Sequence, residues 1–379
     1  MNTSHSKLFK PAPLGRLSVR NRLFVAPMTR VSALTTGAVG PLMQRYYERF
    51  AKGGFGLIVT EGLYTDERYS QAYKYQPGMT SQTHAQSWKP IVEGVQGEGA
   101  LMIAQLMHAG ALSQHSEFTH TTMGPSSVQP KGAQMPFYYG TGPYPTPESL
   151  DQDAINELVQ GFANSALLAK SAGFNGVEIH GANGYLLDQF LTRHTNCRTD
   201  RYGGTLSNRL RLYREIIEAV RAAVGEEFVV GVRFSQKKVN DTEHLWQAGE
   251  EAAAEIFSQM ASSGVDYLHT TEPLASDPAF PGSLSLAALA RKYSGLPVIA
   301  NGGVDQPQQA SQLLESGQAD FVALGKIALS NQDWPNRVMN NKKIRPFDFA
   351  MLAPIADLDS ASLYFSQIAD ELLCEAIVD

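Results

Sequence analysis

Phe228-Val229-Val230-Gly231-Val232-Arg233-Phe234 is a strand-length apolar run broken only by a glycine and one arginine. Runs apolar at successive positions suit parallel strands covered on both faces, whereas a half-exposed antiparallel strand alternates. Immediately upstream, Asn208–Val224 spaces Leu212, Ile216, Ile217 and Val220 along one face of a helix. Helix, polar break and buried strand together form one unit, and that unit recurs along the chain.

Working outward, seven further strand candidates have the same character: Leu23–Ala26, Gly56–Thr60, Leu101–Leu106, Gly176–Ile179, Asp266–His269, Pro297–Ala300 and Asp320–Leu324. Helical patterns fall between them at Asp151–Ser171, Gly249–Ser262 and Gln306–Ser316, the last two followed by the helix-stopping Gly264 and Gly317. Eight alternating units without a composition break predict an α/β fold, a single closed (β/α)8 TIM barrel. The alternative is an open doubly wound sheet, but no Gly-x-Gly-x-x-Gly follows the first strand, as a dinucleotide fold requires. Leu14–Val19 reads as a small N-terminal hairpin closing the barrel floor. The long loop after the third strand, Gln114–Ser149, is rich in Gly, Pro and aromatics, and loops of that length tend to be functional covers. The expected division is a barrel domain over residues 1–341 and a C-terminal extension, 342–379, packing on the barrel or on a neighbouring subunit.

Composition narrows the function. The 379 residues are 43% apolar and 18% charged, an ordinary globular profile. The net charge of −6, without a long basic run, argues against nucleic-acid binding. Two distant cysteines, Cys197 and Cys374, supply neither a disulfide framework nor an iron–sulfur or other Cys-rich metal site. Met1–Pro13 lacks the apolar segment of a secretory signal, and no apolar run approaches the roughly 18 residues of a membrane span. The expectation is a cytoplasmic protein.

In a (β/α)8 barrel the reactive groups sit at the C-terminal strand ends. This sequence puts Thr29 there after strand one, Gly62 after strand two, Gln105 and His108 on strand three, His180, Asn183 and Tyr185 after strand four, and Arg233 on strand five. Strands seven and eight end in Asn301-Gly302-Gly303 and Gly325-Lys326. A lone strand-end histidine is more often structural than catalytic, and Arg233 alone could simply pair with a carboxylate. The combination is more informative. Barrels commonly hold phosphate with the loops after strands seven and eight, so the glycines and Lys326 point to a phosphorylated ligand across the mouth, with tight turns as the plain alternative.

The segment His180-Gly181-Ala182-Asn183-Gly184-Tyr185-Leu186-Leu187-Asp188-Gln189-Phe190-Leu191 strongly resembles the signature of the Old Yellow Enzyme family of FMN-dependent oxidoreductases. The likeness continues through Asn196–Gly204 and Asn208-Arg209, and includes Asn21-Arg22, Ala26–Thr29, Gln105-Leu106 and His108–Gly110. It extends from about Lys7 to Asn340. The resemblance implies a barrel with non-covalent FMN, reduced by NADH or NADPH, acting on the C=C bond of unsaturated carbonyl or nitro compounds, or on quinones. Pro27, Met28 and Thr29 would pass beneath the flavin and Gly62 would admit its edge. Gln105 would meet the pyrimidine side, Arg233 would face N1 and the C2 carbonyl, and Gly302, Gly303, Gly325 and Lys326 would hold the phosphate, with Asn301 also among the cofactor-binding residues. His180 and Asn183 would polarise the substrate oxygen, so that the β-carbon accepts hydride from flavin N5, and Tyr185 would protonate the α-carbon. Family habit favours a homo-oligomer.

Three departures from the usual pattern stand out. Lys326 stands where the family commonly has Arg, which exchanges a bidentate phosphate contact for a single ammonium. Thr29 and Asn183 combine choices of different subgroups, and Met107 replaces a Trp found in certain members. Two other readings remain in view. A phosphate-binding lyase or isomerase barrel predicts a catalytic Lys on an inner strand, and none of the eight carries one. An inactive FMN-binding protein predicts loss of the proton donor, yet Tyr185 is present.

Overall fold

The computed structural model describes the backbone of residues 3–378 and the side-chain surroundings of residues 5–368. In chain order the elements begin with β1 (Ala12–Leu14), β2 (Leu17–Val19), β3 (Leu23–Val25), α1 (Pro41–Lys52), β4 (Leu57–Tyr64), α2 (Gln82–Gly97) and β5 (Leu101–Met107). Next come β6 (Met123–Gly124), β7 (Glu148–Ser149), α3 (Gln152–Ser171), β8 (Gly176–His180), α4 (Leu186–Leu191), α5 (Leu206–Arg209) and α6 (Arg211–Val224). The remainder is β9 (Val229–Phe234), α7 (Glu250–Ser262), β10 (Tyr267–Thr271), α8 (Leu286–Ser294), β11 (Val298–Asn301), α9 (Pro307–Glu315), β12 (Phe321–Leu324), α10 (Lys326–Ser330), α11 (Trp334–Met339) and α12 (Leu358–Val378).

The closed barrel runs β3-β4-β5-β8-β9-β10-β11-β12, every neighbouring pair parallel. All eight expected strands are present. The period of two along a strand sorts their side chains. Val177, Ile179, Val230 and Val232 face the surrounding helices in the main core, while Phe24, Val59, Ile103, Val229, Tyr267, Ile299 and Phe321 fill the lower barrel interior. Ala12, Leu14 and Val19 of the β1–β2 hairpin join that inner cluster, so the hairpin is the floor. Further along the strands, in the same inward phase, the alternation delivers Gln105, Glu178, Arg233, His269 and Asn301 to the upper barrel, all but Asn301 buried.

Two local differences from the sequence reading have clear causes. β4 runs on to Tyr64 instead of ending at Thr60, because its pairing with β5 shifts register between Val59 and Gly62. The helix expected over 208–224 is broken at Leu210: Thr205 caps α5 by accepting from Asn208 N, and α6 then runs to Gly225, whose φ is +76°. The predicted start at Asp151 is the N-cap of α3, its carboxylate accepting from Ala154 N.

The long loop after β5 crosses the barrel mouth, braced by the parallel β6–β7 bridge and by Met135 N donating to Gln114 Oε1 at 2.7 Å. The C-terminal segment folds back over the rim of its own barrel. Arg30, buried in the loop after β3, donates to the carbonyls of Ala356 and Asp357 at 3.2 and 2.8 Å, and Leu358 N donates to Ser32 Oγ. No helix among the described residues is long and apolar enough to cross a membrane.

Candidate active site

A cleft of about 620 Å³ opens at the C-terminal strand ends, within the roughly 300–1,000 Å³ usual for cofactor and ligand sites. Pro27, Met28 and Thr29 form one wall. Asn301, Gly302, Gly303, Gly325 and Lys326 form another, and Asn183 and Tyr185 stand opposite, under Met135, Phe137 and Tyr138 of the long loop. Phe349 and Leu352 of the C-terminal segment also reach the cleft, and the Lys326 ammonium lies 4.9 Å from the Phe349 ring centroid.

Beneath the cleft the barrel axis holds a buried polar network. Glu178 accepts from Gln105 Nε2 at 2.8 Å and from Tyr267 OH at 3.0 Å, and pairs with His269 Nδ1 at 2.8 Å. Burial alone raises a carboxyl, but His269, Arg233 and Gln105 overcome it and hold Glu178 at about 2. Burial lowers Arg233 to about 10, opposed by Glu178, so the guanidinium stays charged at neutral pH. Its Nη2 donates to Asn301 Oδ1 at 2.8 Å, whereas its buried Nε has no partner. Burial and the nearby Arg233 push His180 down to about 3, so its imidazole is neutral, with Nδ1 buried and unpartnered. With Nε2 committed to Glu178, Gln105 has its carbonyl oxygen left to accept from a ligand.

The chain leaves β8 through a turn with two successive left-handed residues, Asn183 at φ +62° and Gly184 at φ +88°. This turn aims the Asn183 and Tyr185 side chains into the cleft. The His180 and Tyr185 rings lie 5.1 Å apart. Burial raises the Tyr185 phenol above its ordinary value, so it keeps its proton. Its hydroxyl shares a hydrogen bond with that of Tyr73.

Most of the residues singled out in the sequence converge on the cleft or the network under it. Two occupy different surroundings from those expected. Gly62 does not line the cleft; the space a Cβ would fill is taken by Met107. The Asn301 amide is engaged within the protein, accepting from Arg233 and Thr271 and donating to Ala323 O at 2.9 Å. Tyr73 and Glu178 went unnoticed in the sequence: Tyr73 lies in a loop outside any period, and Glu178 reads as one polar residue inside an apolar strand. The inward phase of Glu178, two residues before His180, was the available signal.

The match to known proteins covers nearly the whole chain. The model of the NADH:flavin oxidoreductase / NADH oxidase family fits residues 7–344. This chain belongs to that family. It is 30% identical over 350 residues to an NADH oxidase of Thermoanaerobacter brockii, covering 90% of this chain but 52% of that protein. With putative 12-oxophytodienoate reductase 6 of Oryza sativa subsp. japonica it shares 35% identity over 356 residues, 93% of this chain and 85% of that one. The chain therefore spans about half the length of the first of these relatives and most of the second. Among solved structures, the old yellow enzyme homologue from Zymomonas mobilis superposes with TM-score 0.82 at 29% identity, over 93% of this chain and 99% of that one. Morphinone reductase in complex with tetrahydroNAD superposes with TM-score 0.81 at 30% identity, over 91% and 93%. The Old Yellow Enzyme resemblance is thereby confirmed.

The family's cofactor is non-covalent FMN, and this Old Yellow Enzyme-type barrel has the chemistry to receive it. The unpartnered Arg233 Nε and His180 Nδ1 are buried donors or acceptors awaiting a ligand. Gly302 (φ +134°) and Gly303 (φ +59°) line the cleft without side chains, as does Gly325, where a Cβ would meet nothing closer than Asn301 Nδ2 and Met28 Sδ at 3.9 Å. A side chain at Gly302 would collide with Glu272 O. Gly302→Ala is therefore expected to destabilise the fold by about 1–3 kcal/mol, read as a lower melting temperature together with weaker FMN retention.

Proposed function

We propose that this protein is an FMN-dependent NAD(P)H oxidoreductase that reduces the C=C bond of α,β-unsaturated carbonyl or nitro compounds, with quinones as further acceptors. The observation that carries this reading is the meeting of an amide and a protonated phenol on one cleft, with the buried, neutral imidazole of His180 5.1 Å from that phenol ring and a buried guanidinium in the network beneath. When bound, FMN supplies the hydride, having taken it from NADH or NADPH.

The chain's own residues account for the rest. Arg233 places a permanent positive charge where an electron-rich ring needs it, and its Asn301 contact fixes the fork. Gln105, oriented by Glu178, presents a carbonyl acceptor. Pro27, Met28 and Thr29 pack against the ring, while Gly302, Gly303, Gly325 and Lys326 hold the phosphate through backbone N–H groups and one ammonium. His180 and Asn183 donate to the substrate's carbonyl or nitro oxygen, which makes its β-carbon electrophilic. Tyr185 then delivers a proton to the α-carbon from the other face, and Tyr73 holds that hydroxyl in place. One cleft serves nicotinamide and alkene in turn. A lyase or isomerase barrel has no support, since the barrel strands carry no Lys.

The purified protein should be yellow, and a colourless preparation that also fails to take up added FMN would sink the proposal. His180→Ala/Asn183→Ala together should abolish phenol binding, followed by the long-wavelength absorbance that phenols give with the bound flavin; an unchanged titration contradicts the oxygen-binding pocket. Because His180 stays neutral far below its ordinary value of 6.5, phenol affinity between pH 5 and 8 should follow the phenol's own ionisation, with no imidazole step. A step near pH 6.5 that disappears in His180→Ala would show the imidazole titrating there instead. The reading is completed by a cytoplasmic place, a homo-oligomeric state, and no nucleic-acid or membrane partner.

A further inference from the structure

Behind the turn that carries Asn183 and Tyr185 lies a buried ion pair that does not line the cleft. Asp188 Oδ1 and Lys238 Nζ are 2.6 Å apart, with side chains 0% and 6% exposed. The other carboxylate oxygen accepts from Gly184 N at 2.7 Å, and Thr192 Oγ1 adds a contact to Oδ1 at 3.3 Å. Lys238 belongs to the loop after β9, and its strand-like pairing with Asn183 lets Val239 N donate to Asn183 O at 3.1 Å. Ser235 Oγ, from the same loop, accepts from Asn183 N at 2.8 Å.

Two features make this pair more than packing. Asn183 holds a left-handed conformation, uncommon for non-glycine residues though asparagine tolerates it better than most, and both its backbone N and O are held by the loop after β9. Burying both ions is costly, and in some proteins such groups serve to specify one geometry over others. The loop carrying Lys238 also borders a second cleft of about 710 Å³, lined by Trp246, His244 and Arg209. The loop's hydrogen bonds to the turn run through Asn183 and Asp188.

We propose that Asp188 and Lys238 are positioning residues. Together they lock the Asn183-Gly184-Tyr185 turn so that the amide and the phenol face the substrate at once. Asp188 acts through Gly184 N, and Lys238 keeps the carboxylate aimed there. This rests on the proposed roles of Asn183 and Tyr185, so the test must separate the two ideas.

The test uses FMN-replete enzyme and two ligands: 4-chlorophenol, titrated by long-wavelength absorbance, and FMN, titrated by flavin fluorescence. Asp188→Ala should weaken 4-chlorophenol at least about tenfold, as a displaced reacting group does, and raise KM for an alkene, while FMN affinity stays within about twofold. Asp188→Asn keeps an oxygen acceptor for Gly184 N and should recover most of the phenol affinity. Lys238→Met should show the same selective loss, and it keeps the test decisive if Asp188→Ala fails to fold. Phenol affinity unchanged in the folded variants, or phenol and FMN affinity falling in parallel, overturns the proposal. Wild-type enzyme that binds neither FMN nor 4-chlorophenol would instead remove the functional reading itself.

Discussion

Tyr185→Phe is expected to slow alkene reduction by roughly 10²–10⁴-fold, the usual contribution of a positioned general acid, while NAD(P)H oxidation with a quinone acceptor continues. The asymmetry follows from the chemistry. An alkene needs a proton at carbon, delivered from a group held above it, whereas a quinone receives its protons on oxygen and can take them from water. Burial raises the Tyr185 phenol and Tyr73 shares its hydroxyl, so the residue keeps its proton at working pH and has a fixed direction. Phe fills the same space, so the turn from Asn183 to Leu186 should persist. Stopped-flow measurement of flavin reoxidation by an alkene and by a quinone separates the two reactions. Equal loss in both would make Tyr185 a structural residue.

Arg233→Met is expected to have the largest effect on stability. The guanidinium is 4% exposed and faces a carboxylate, Glu178, that is fully buried. Removing one member of a buried ionic network typically costs about 3–5 kcal/mol, because the other charge is left uncompensated. His269 can offset part of this by taking a proton. The same substitution removes the cation proposed to face the flavin, so FMN retention should fall as well. A double variant tells the two losses apart: Glu178→Gln added to Arg233→Met should restore much of the melting temperature, since no uncompensated carboxylate remains in that network, but not the affinity for FMN. Full recovery of both would mean that Arg233 serves only to neutralise Glu178.

These expectations rest on contacts of two kinds, and the sequence exposes them unequally. Gln105, His180 and Arg233 could be placed at the barrel top by counting in twos along buried strands. Asn183 and Tyr185 could be placed through a twelve-residue segment whose resemblance to a known family is specific. For Gly62, a glycine admits close approach from any side, and only coordinates show that Met107 takes the space a Cβ would fill. Asn301 was assigned to the ligand because nothing in the chain announces that Arg233, Thr271 and Ala323 already engage its amide.

The primary sequence by itself determined the eight buried runs, hence the closed barrel, the hairpin floor and the end of the molecule at which chemistry could occur. Burial along a strand or helix is a local property, and its period is written in neighbouring residues. Only the tertiary structure decided which distant groups meet: Tyr73 with Tyr185, 112 positions apart, Glu178 with His269, 91 apart, and Asp188 with Lys238, 50 apart. Those pairings arise from closure of the barrel, which brings remote strands and loops side by side, and no periodicity in one segment encodes the partner it will find in another.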